Sequence, residues 1–521
     1  MDATTGESAT GPLRLAELVA ALSLATDLGT GQPLEHALRT GLLSLELARR
    51  SGVAAGSLGD VYYLALLRFV GCTADATETA ASAGGDDIAF IGAMSPAWMG
   101  SVGEQMRAMT AATAPDAPLP RRVRLLLMAF ADTQGATRSI SAHCEAGQML
   151  SARLGVGAGV TESLGFAFER WDGKGIPGRR SGTTVPEPVR VVVVARDIDL
   201  WTRMTDVDSA VEVVRDRAGH AYDPNVAAAF LDDPHGVLEA TRSTDSWQAA
   251  LDAEPTPWLR IHDEQLDSAL GAFGDFADLK SPWTRGHSPG VAALAEAAAA
   301  AAGLAATECD AVRRAGLVHD LGRVGIPNGV WDHPGPLTVD AWERVRLHSY
   351  FTERILNRSR RLAPLARVSA CHHERADGSG YHRGARTAEL SVAERLLAAA
   401  DAYHACTEPR PHRPAMTAEG AALELRREAR ANRFDTEVVE CVLEAAGHQA
   451  TARVETTPAS LTERELQVLR LIARSHSNKQ VADQLSITAK TVGTHVEHIY
   501  AKAGVSTRAG AALFAMEHGL L

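Results

Sequence analysis

The stretch that decides the fold is AVRRAGLVHDLGRVGIP, residues 311–327. It begins with the apolar spacing of a buried helix, and the adjacent polar residues His319 and Asp320 interrupt that spacing. Three further apolar runs, at 343–356, 368–384 and 394–405, are interrupted in the same way. The polar residues concerned are His319, Asp320, His348, His372, His373 and Asp401. Imidazoles and carboxylates bind divalent cations, and unpaired charge in a buried segment is costly. Any one of these residues alone would more often be an ordinary packed side chain, but together they predict a metal site shared by four helices.

The pattern resembles the HD-GYP family of metal-dependent phosphohydrolases over residues 275–448. Characterised members of that family hydrolyse cyclic di-GMP at a two- or three-metal centre. The resemblance implies two or more divalent ions, iron or manganese, and catalytic roles for Asp320, bridging the metals, and Arg323. The ligands it implies are His287, His319, Asp320, His348, His372, His373 and Asp401, with Asp278 where some members carry an extra acidic ligand.

Two positions depart from the family pattern. The lysine of the HD-x-G-Lys motif is Arg323, and the proline of the Gly-Tyr-Pro motif is His382, after Gly380 and Tyr381. A guanidinium group can bind phosphate bidentately, but it does not act as the point charge of a lysine. The metal site is therefore expected to be complete, while the substrate loop is altered.

The composition is that of a folded, cytoplasmic protein of several domains. The 521 residues are 45% hydrophobic and carry a net charge of −12, which excludes a protein that coats nucleic acid with its whole surface. The six cysteines form no C-x-x-C pair and are predicted to be reduced thiols. The N-terminus lacks the features of a signal peptide, and the apolar run 291–306 suits a packed helix better than a membrane span. No membrane partner is expected.

The chain contains an internal repeat. LEHALRTGLLSLELARRSGV (34–53) parallels GHSPGVAALAEAAAAAAGL (286–304) at an offset of 251 residues. FERWDGKGIPG (168–178) parallels HERADGSGYHR (373–383) at an offset of 205. The change of offset predicts about 46 extra residues in the first copy, between roughly 72 and 140.

The first copy has lost most of the predicted ligands. Arg68 and Phe69 replace the His319–Asp320 pair, and Ala167 and Phe168 replace the His372–His373 pair, whereas His36, His143 and Asp197 remain. Three donors without either pair make a poor site for two metals. The sequence therefore predicts a conserved fold without metal chemistry, acting as a sensing or scaffolding partner.

The last 61 residues, LTERELQVLRLIARSHSNKQVADQLSITAKTVGTHVEHIYAKAGVSTRAGAALFAMEHGLL (461–521), form a different module. Thr462 with Glu465, and Ser477 with Gln480, have the spacing of capping boxes. A third helix from about Thr488 should turn Val492, Val496, Ile499 and Ala503 to the core and leave a polar, basic face outside. Such a module is either a small interaction domain or a DNA-binding helix-turn-helix.

The module resembles the LuxR-type helix-turn-helix nearly end to end, through LTERELQVLRLIA, SNKQVADQLSIT and KTVGTHVEHIYAKAGV. The resemblance implies double-stranded DNA as a partner and a homodimer on paired half-sites. It assigns DNA contacts to Lys490, Thr491, Thr494 and His495, with phosphate contacts from Lys479 and Lys502.

These predictions define an all-α protein, with two HD-superfamily helical domains in tandem followed by a small helix-turn-helix domain. The expected boundaries are 12–240, a connecting segment 241–274, the metal-binding domain 275–448, a linker 449–459 and the DNA-binding domain 460–521. The main functional hypothesis is a transcriptional regulator whose HD-GYP-like domains sense a metal, a nucleotide or a phosphate ester. The alternative is a metal-dependent phosphohydrolase, acting on a cyclic dinucleotide or another phosphate ester, fused to a DNA-binding module.

Overall fold

The computed structural model describes residues 13–98, 100–115, 117–132, 134–447, 459 and 461–521. The described chain is built from α-helices, which confirms the predicted fold class. Its short 3-10 segments are Ala55–Ser57, Gly182–Thr184, Glu239–Thr241, Leu321–Gly325 and Thr387–Glu389. None of the described helices is both long and apolar enough to cross a lipid bilayer.

The first half of the chain folds into helices α1 to α14. Their bounds are α1 Leu15–Gly29, α2 His36–Arg50, α3 Leu58–Leu67, α4 Ala76–Ala83, α5 Asp87–Met94, α6 Val102–Ala112, α7 Leu119–Ala131, α8 Gly135–Leu154, α9 Ala158–Leu164, α10 Glu187–Met204, α11 Val207–Arg217, α12 Pro224–Leu231, α13 Pro234–Leu238 and α14 Ser246–Asp252. Helix α10 contains the run VRVVVVA, and its valines at 189, 191, 192 and 194 are fully buried. Tertiary burial therefore overrides the low helix propensity of β-branched residues here.

The second copy repeats this order of helices without the long insertion. Its helices are α15 Asp263–Asp278, α16 His287–Ala301, α17 Ala306–Val318, α18 Asn328–Trp331, α19 Val339–Leu356, α20 Ala363–Ala370, α21 Val392–Thr407, α22 Ala418–Arg430 and α23 Thr436–Ala445. Helix α15 precedes α16 as α1 precedes α2, so the predicted boundary at residue 275 falls inside a helix of the second copy. In the first copy, α4 to α7 occupy the region of the predicted extra residues.

Equivalent backbone contacts show that the two halves share one fold. A Cβ atom added at Gly71 would lie 2.0 Å from the carbonyl oxygen of His143, and one added at Gly322 would lie 2.0 Å from that of His348. Both glycines therefore allow a helix to approach more closely than any other residue would. The offsets of these two pairs are those of the sequence repeat.

The two copies pack directly on each other. A short antiparallel pair joins β1, Leu13–Arg14, to β2, Arg260–Ile261. The buried Lys280 ammonium lies 2.6 Å from the Asp87 carboxylate of the insertion. Asp87 also accepts a 2.7 Å hydrogen bond from the backbone N–H of Asn328. The insertion thus links the first copy to the second.

The C-terminal module contains helices α24 Glu463–Ala473, α25 Asn478–Leu485, α26 Ala489–Ala503 and α27 Arg508–Glu517. Both predicted capping boxes are present, at Thr462 and Ser477. Thr488 caps α26, on which Val492 and Ile499 are fully buried. Val496 and Ala503 pack against the same core. The predicted linker 449–459 lies outside the described residues, apart from Ala459.

Candidate functional site

Seven of the eight predicted donors meet at one buried point in the second copy. They come from the start of α16, the end of α17, the middle of α19, the end of α20 and the middle of α21. Within each of three sets, the donor atoms all lie within 4.8 Å of one another: His348, His372 and His373; His287, His319 and Asp401; and His319, Asp320 and His372. The tertiary structure therefore brings together residues that are up to 114 positions apart.

The Asp320 carboxylate stands between two groups of imidazoles. Its Oδ2 lies 3.6 Å from His319 Nε2 and 3.9 Å from His287 Nε2. Its Oδ1 lies 3.4 Å from His348 Nε2 and 3.5 Å from His372 Nε2. One carboxylate thus directs one oxygen to each group, which is the arrangement that a bridging ligand requires.

Backbone carbonyls fix the tautomer of three histidines. The Nδ1 atoms of His319, His348 and His372 each donate a hydrogen bond to the carbonyl three residues earlier, at 2.7, 2.5 and 2.5 Å. With the proton held at Nδ1, the Nε2 lone pair of each neutral ring points into the cluster. This second contact is typical of metal-bound histidine.

The resulting lone pairs are poorly matched by the protein groups that the structure describes. His348 Nε2 lies 3.0 Å from His372 Nε2, so two acceptors face each other. His319 Nε2 and Asp320 Oδ1 are buried and have no hydrogen-bond partner among the described residues. Such an arrangement is unfavourable unless a cation occupies the space between the donors. The residues present therefore fit a divalent metal site.

Burial keeps the core imidazoles neutral. It lowers the pKa of His319 to about 4 and that of His348 to about 3. Burial also opposes ionisation of Asp320, but nearby Arg323 and His319 outweigh it and hold the pKa of Asp320 well below its usual range. The site thus offers neutral imidazoles and an ionised carboxylate, the protonation states needed for metal binding.

His287 is the exception, because two carboxylates flank it. Its Nδ1 lies 2.8 Å from Glu408 Oε2 and its Nε2 lies 3.1 Å from Asp401 Oδ1. Burial lowers the pKa of His287, but these carboxylates outweigh it and raise the pKa to about 10. A proton and a metal ion compete for the same Nε2 lone pair, while Nδ1 remains bonded to Glu408.

Sequence reasoning missed Glu408 and His404, which form a further donor set with His287. Both follow Asp401 on or beside α21, at intervals of three and seven residues, and so lie on the same face of the helix. That spacing was a signal that could have identified them. His404 also explains Gly290, where an added Cβ would lie 2.1 Å from His404 Nε2.

The structure does not bring Asp278 into the cluster. Its carboxylate accepts hydrogen bonds from the backbone N–H and the hydroxyl of Ser288, both at 2.8 Å, and so caps α16. Asp27 accepts from the backbone N–H of Ala37 at 3.2 and 3.3 Å in the first copy. Asp27 and Asp278, each nine residues before the first histidine of its copy, therefore have the same structural role.

Arg323 and His382, the two residues that depart from the family pattern, each contact a carboxylate. Arg323 Nη1 lies 3.1 Å from Asp320 Oδ2, and its guanidinium group lies 3.8 Å from the centroid of the Trp331 ring. In the altered loop, His382 Nε2 lies 3.0 Å from a Glu353 carboxylate oxygen. Tyr381 turns its ring towards His373, with a centroid distance of 4.7 Å. The loop thus covers the cluster without the proline.

In the first copy, the equivalent positions lack such a cluster. His36 Nδ1 lies 2.7 Å from Asp199, and His143 Nε2 lies 2.9 Å from the Arg68 carbonyl oxygen. Asp197 is bonded to arginines and to Tyr222. In the described ranges of the chain, the metal-donor sets all lie in the second copy.

The helix-turn-helix module exposes most of the predicted DNA contacts. The side chains of Lys479, Lys490, Thr491 and Thr494 are exposed, and His495 is half-buried. Lys502 is also exposed, but its Nζ lies 2.7 Å from Glu465 Oε2. Lys502 therefore takes part in an ion pair within the module.

Comparison with known proteins agrees with this division. The family model described as HD domain matches residues 272–438. The model described as bacterial regulatory proteins, luxR family, matches residues 459–515.

Several relatives are phosphodiesterases. The chain is 28% identical over 414 residues to 3'3'-cGAMP-specific phosphodiesterase 3 of Vibrio cholerae, covering 78% of this chain and 89% of that protein. It is 30% identical over 178 residues to a cyclic di-GMP phosphodiesterase of Thermotoga maritima, covering 33% of this chain and 47% of that protein.

A solved structure extends the likeness to both copies. It is a crystal structure of cyclic GMP-AMP specific phosphodiesterases in V. cholerae, with a TM-score of 0.58 and 25% identity, covering 84% of this chain and 98% of that chain. The matched 84% of this chain is more than the second copy and the C-terminal module make up together, so the match includes part of the first copy. The chain therefore combines an HD domain at residues 272–438 with a LuxR-family helix-turn-helix domain at residues 459–515, and its likeness to the solved structure is consistent with tandem HD-GYP-like domains.

Proposed function

We propose that this protein is a transcriptional regulator whose second HD domain hydrolyses a cyclic dinucleotide at a centre of two or more divalent metal ions. The observation that carries the proposal is the buried cluster of seven imidazole and carboxylate donors, in which His319 Nε2 and Asp320 Oδ1 have no partner among the described residues. The names of the relatives support a cyclic dinucleotide as substrate. The domain boundaries predicted from the sequence are part of this proposal, except that the second copy begins with α15 at Asp263 rather than at residue 275.

The residues of the chain have separate roles in this reaction. One group of ligands contains His287, His319 and Asp401, the other contains His348, His372 and His373, and Asp320 lies between the groups. Divalent ions, iron or manganese, supply Lewis-acid chemistry for phosphoester hydrolysis when bound. Arg323 lies beside Asp320, where its guanidinium can orient a phosphate oxygen.

The enzymatic part is tested by metal content and turnover. Protein purified without added metal should contain two or more equivalents of iron or manganese and should hydrolyse 3'3'-cGAMP or cyclic di-GMP. The double variant His319→Ala, Asp320→Ala should lose both properties. The matched double variant Arg68→Ala, Phe69→Ala changes the equivalent positions of the first copy and should retain the metal. Protein that binds metal but leaves these dinucleotides and other phosphate esters intact would be a metal-dependent sensor instead.

The regulatory part rests on how the C-terminal module sits on the two copies. The Ser506 hydroxyl lies 2.8 Å from the Glu145 carboxylate on α8 of the first copy. Arg285, two residues before His287, donates to the Ser475 hydroxyl at 3.1 Å and to the Ala473 carbonyl. Ligand binding near His287 can therefore affect the seating of the DNA-binding module.

DNA binding is tested with DNA from upstream of the protein's own coding sequence. Lys490→Ala should weaken binding on all sequences and reduce the salt slope by about one, as expected for a phosphate contact. Thr494→Ala should cost about 1–3 kcal/mol on the preferred sequence alone if it contacts a base. Arg430→Ala removes the same charge as Lys490→Ala from α22 and should have no effect. A wild-type protein without salt-dependent preference for this DNA over random DNA would contradict the regulatory role.

Dimerisation belongs to the same proposal. Helix-turn-helix proteins usually bind paired half-sites related by two-fold symmetry. Light scattering on the DNA complex should therefore give two chains for each operator. A single chain at saturation would contradict the homodimer.

A further inference from the structure

Arg68 lies in the first copy where His319 lies in the second. It follows α3 as His319 follows α17, and only 6% of its surface is exposed. The guanidinium group thus puts a fixed positive charge into the part of the fold where the second copy gathers its metal donors. A buried cationic group at this position favours an anionic ligand, whereas the donors of the second copy favour a cation.

Among the described residues, the Arg68 guanidinium forms no ion pair. Its Nε and Nη1 atoms are buried without a hydrogen-bond partner in the described part of the chain. Asp197 is the nearby carboxylate, but its Oδ1 accepts from Arg196 at 2.5 Å and its Oδ2 accepts from Arg217 at 2.8 Å and from the Tyr222 hydroxyl. A buried cation without a partner is costly, so its retention requires an explanation.

Aromatic rings compensate for part of this cost. The Arg68 guanidinium lies 5.1 Å from the centroid of the Phe168 ring and 5.7 Å from that of Phe69. These contacts stabilise the charge but leave its N–H groups unsatisfied. Burial, together with nearby Arg196, lowers the pKa of Arg68 to about 10, which still leaves the group charged at neutral pH.

Further hydrogen-bond donors of the first copy also lack partners among the described residues. Arg196, whose guanidinium lies 5.9 Å from the Phe69 ring centroid, and Arg170 each have a buried Nε without a partner. Trp98 of the insertion packs 5.4 Å from the Arg170 guanidinium, and its Nε1 also lacks a partner. The region offers N–H donors and an aromatic surface, the chemistry that binds a phosphate ester carrying a planar base.

The metal donors of the first copy form no donor set in the described ranges of the chain, although His36 Nε2 is itself unpartnered there. His36 is bonded to Asp199, His143 to a backbone carbonyl, and Asp197 to the arginines. We propose that the first copy binds a phosphate ester of the nucleotide class through Arg68, without metal and without hydrolysis. This second site goes beyond the proposed phosphodiesterase and would allow the protein to detect a nucleotide that it does not degrade there.

The test uses the full-length His319→Ala, Asp320→Ala variant in chelator, so that the second copy contributes no metal-dependent binding. Calorimetric titrations use 3'3'-cGAMP, cyclic di-GMP, GMP and inorganic phosphate as probes. At least one probe should bind with one site per chain, and Arg68→Gln should weaken that binding at least about 10-fold, the usual effect of losing hydrogen bonds to a charged group. Arg180→Gln is the matched control, because Arg180 is a partly exposed arginine over the Phe166 ring of the same copy.

The titrations test two questions separately: whether the ligand is a nucleotide or free phosphate, and whether Arg68 forms a binding site. Binding of inorganic phosphate as tight as that of the nucleotides would overturn the nucleotide class. Equal affinity of the Arg68→Gln and Arg180→Gln proteins, or the absence of binding by every probe, would overturn the site. If Arg68→Gln does not fold by circular dichroism, Arg68→Lys retains the charge without the bidentate geometry and should still weaken binding. Wild-type turnover is measured separately, so a failure of this proposal leaves the phosphodiesterase proposal intact.

Discussion

Asp401 and Asp197 occupy the same position in the two copies but have opposite surroundings. Asp401 faces imidazoles, with Oδ1 at 3.1 Å from His287 and 3.8 Å from His319. Asp197 faces guanidinium groups, from Arg196 and Arg217. In the second copy a removable cation can balance the carboxylate, whereas in the first copy permanently charged side chains do so. The comparison shows how one backbone serves either metal binding or a fixed ion-pair network.

The largest difference should appear when both aspartates are changed to asparagine. Asp401→Asn should remove metal and lower dinucleotide turnover by at least about 100-fold. Mutating a residue that only hydrogen-bonds to a metal ligand typically lowers metal affinity or activity about 10–100-fold, and losing the ligand itself should cost more. Asp197→Asn should leave the metal content unchanged. Elemental analysis and a hydrolysis assay on both proteins measure this difference. Equal metal loss in the two variants would mean that the first copy also holds an ion.

The free energy of unfolding should depend strongly on the aspartate of the first copy, in contrast to the metal content. Asp197→Asn leaves buried Arg196 and Arg217 without their carboxylate and should lower the free energy of unfolding by about 3–5 kcal/mol. The control Asp132→Asn breaks the exposed pair with Arg138, whose loss should cost no more than about 1 kcal/mol. Urea unfolding followed by circular dichroism compares them. A small effect of Asp197→Asn would show that the arginines do not depend on this carboxylate.

The hydrogen bond between His287 Nδ1 and Glu408 should contribute to metal affinity, whereas the equivalent position of the first copy should not. Glu408→Gln should weaken metal affinity about 10–100-fold, since it removes the carboxylate that orients the ring. The equivalent residue of the first copy is Met204, which is 53% exposed. Met204→Gln should leave the affinity unchanged in competition titrations with a chelator. Unchanged affinity in Glu408→Gln would place Glu408 outside the metal site.

The smallest effects should come from the capping aspartates, which the two copies share. Asp27→Ala and Asp278→Ala should each lower the free energy of unfolding by about 1 kcal/mol, the usual cost of losing a helix cap. Thermal unfolding and metal analysis are measured on the same samples. If Asp278→Ala also loses a metal equivalent, Asp278 acts as the extra ligand that the family resemblance implies.

Much of the architecture was predictable because its signals are local or periodic. The repeat, the helical class and the capping boxes at Thr462 and Ser477 depend on spacing along the chain, and the structure confirms them. The order of His319, Asp320, His348, His372, His373 and Asp401 was sufficient to predict a cluster. The sequence could not assign Asp278 to a helix cap, because a carboxylate nine residues before a histidine fits either role.

By itself, the sequence determined the helical fold, the duplication, the candidate donors and the type of C-terminal module. Only the tertiary structure decided that Glu408 flanks His287, that Lys502 pairs with Glu465, and that two buried nitrogens of Arg68 have no partner among the described residues. The physical reason is that these properties depend on which distant side chains share a low-dielectric environment. Residue type fixes the charge and the hydrogen-bond donors, but packing decides whether a partner satisfies them.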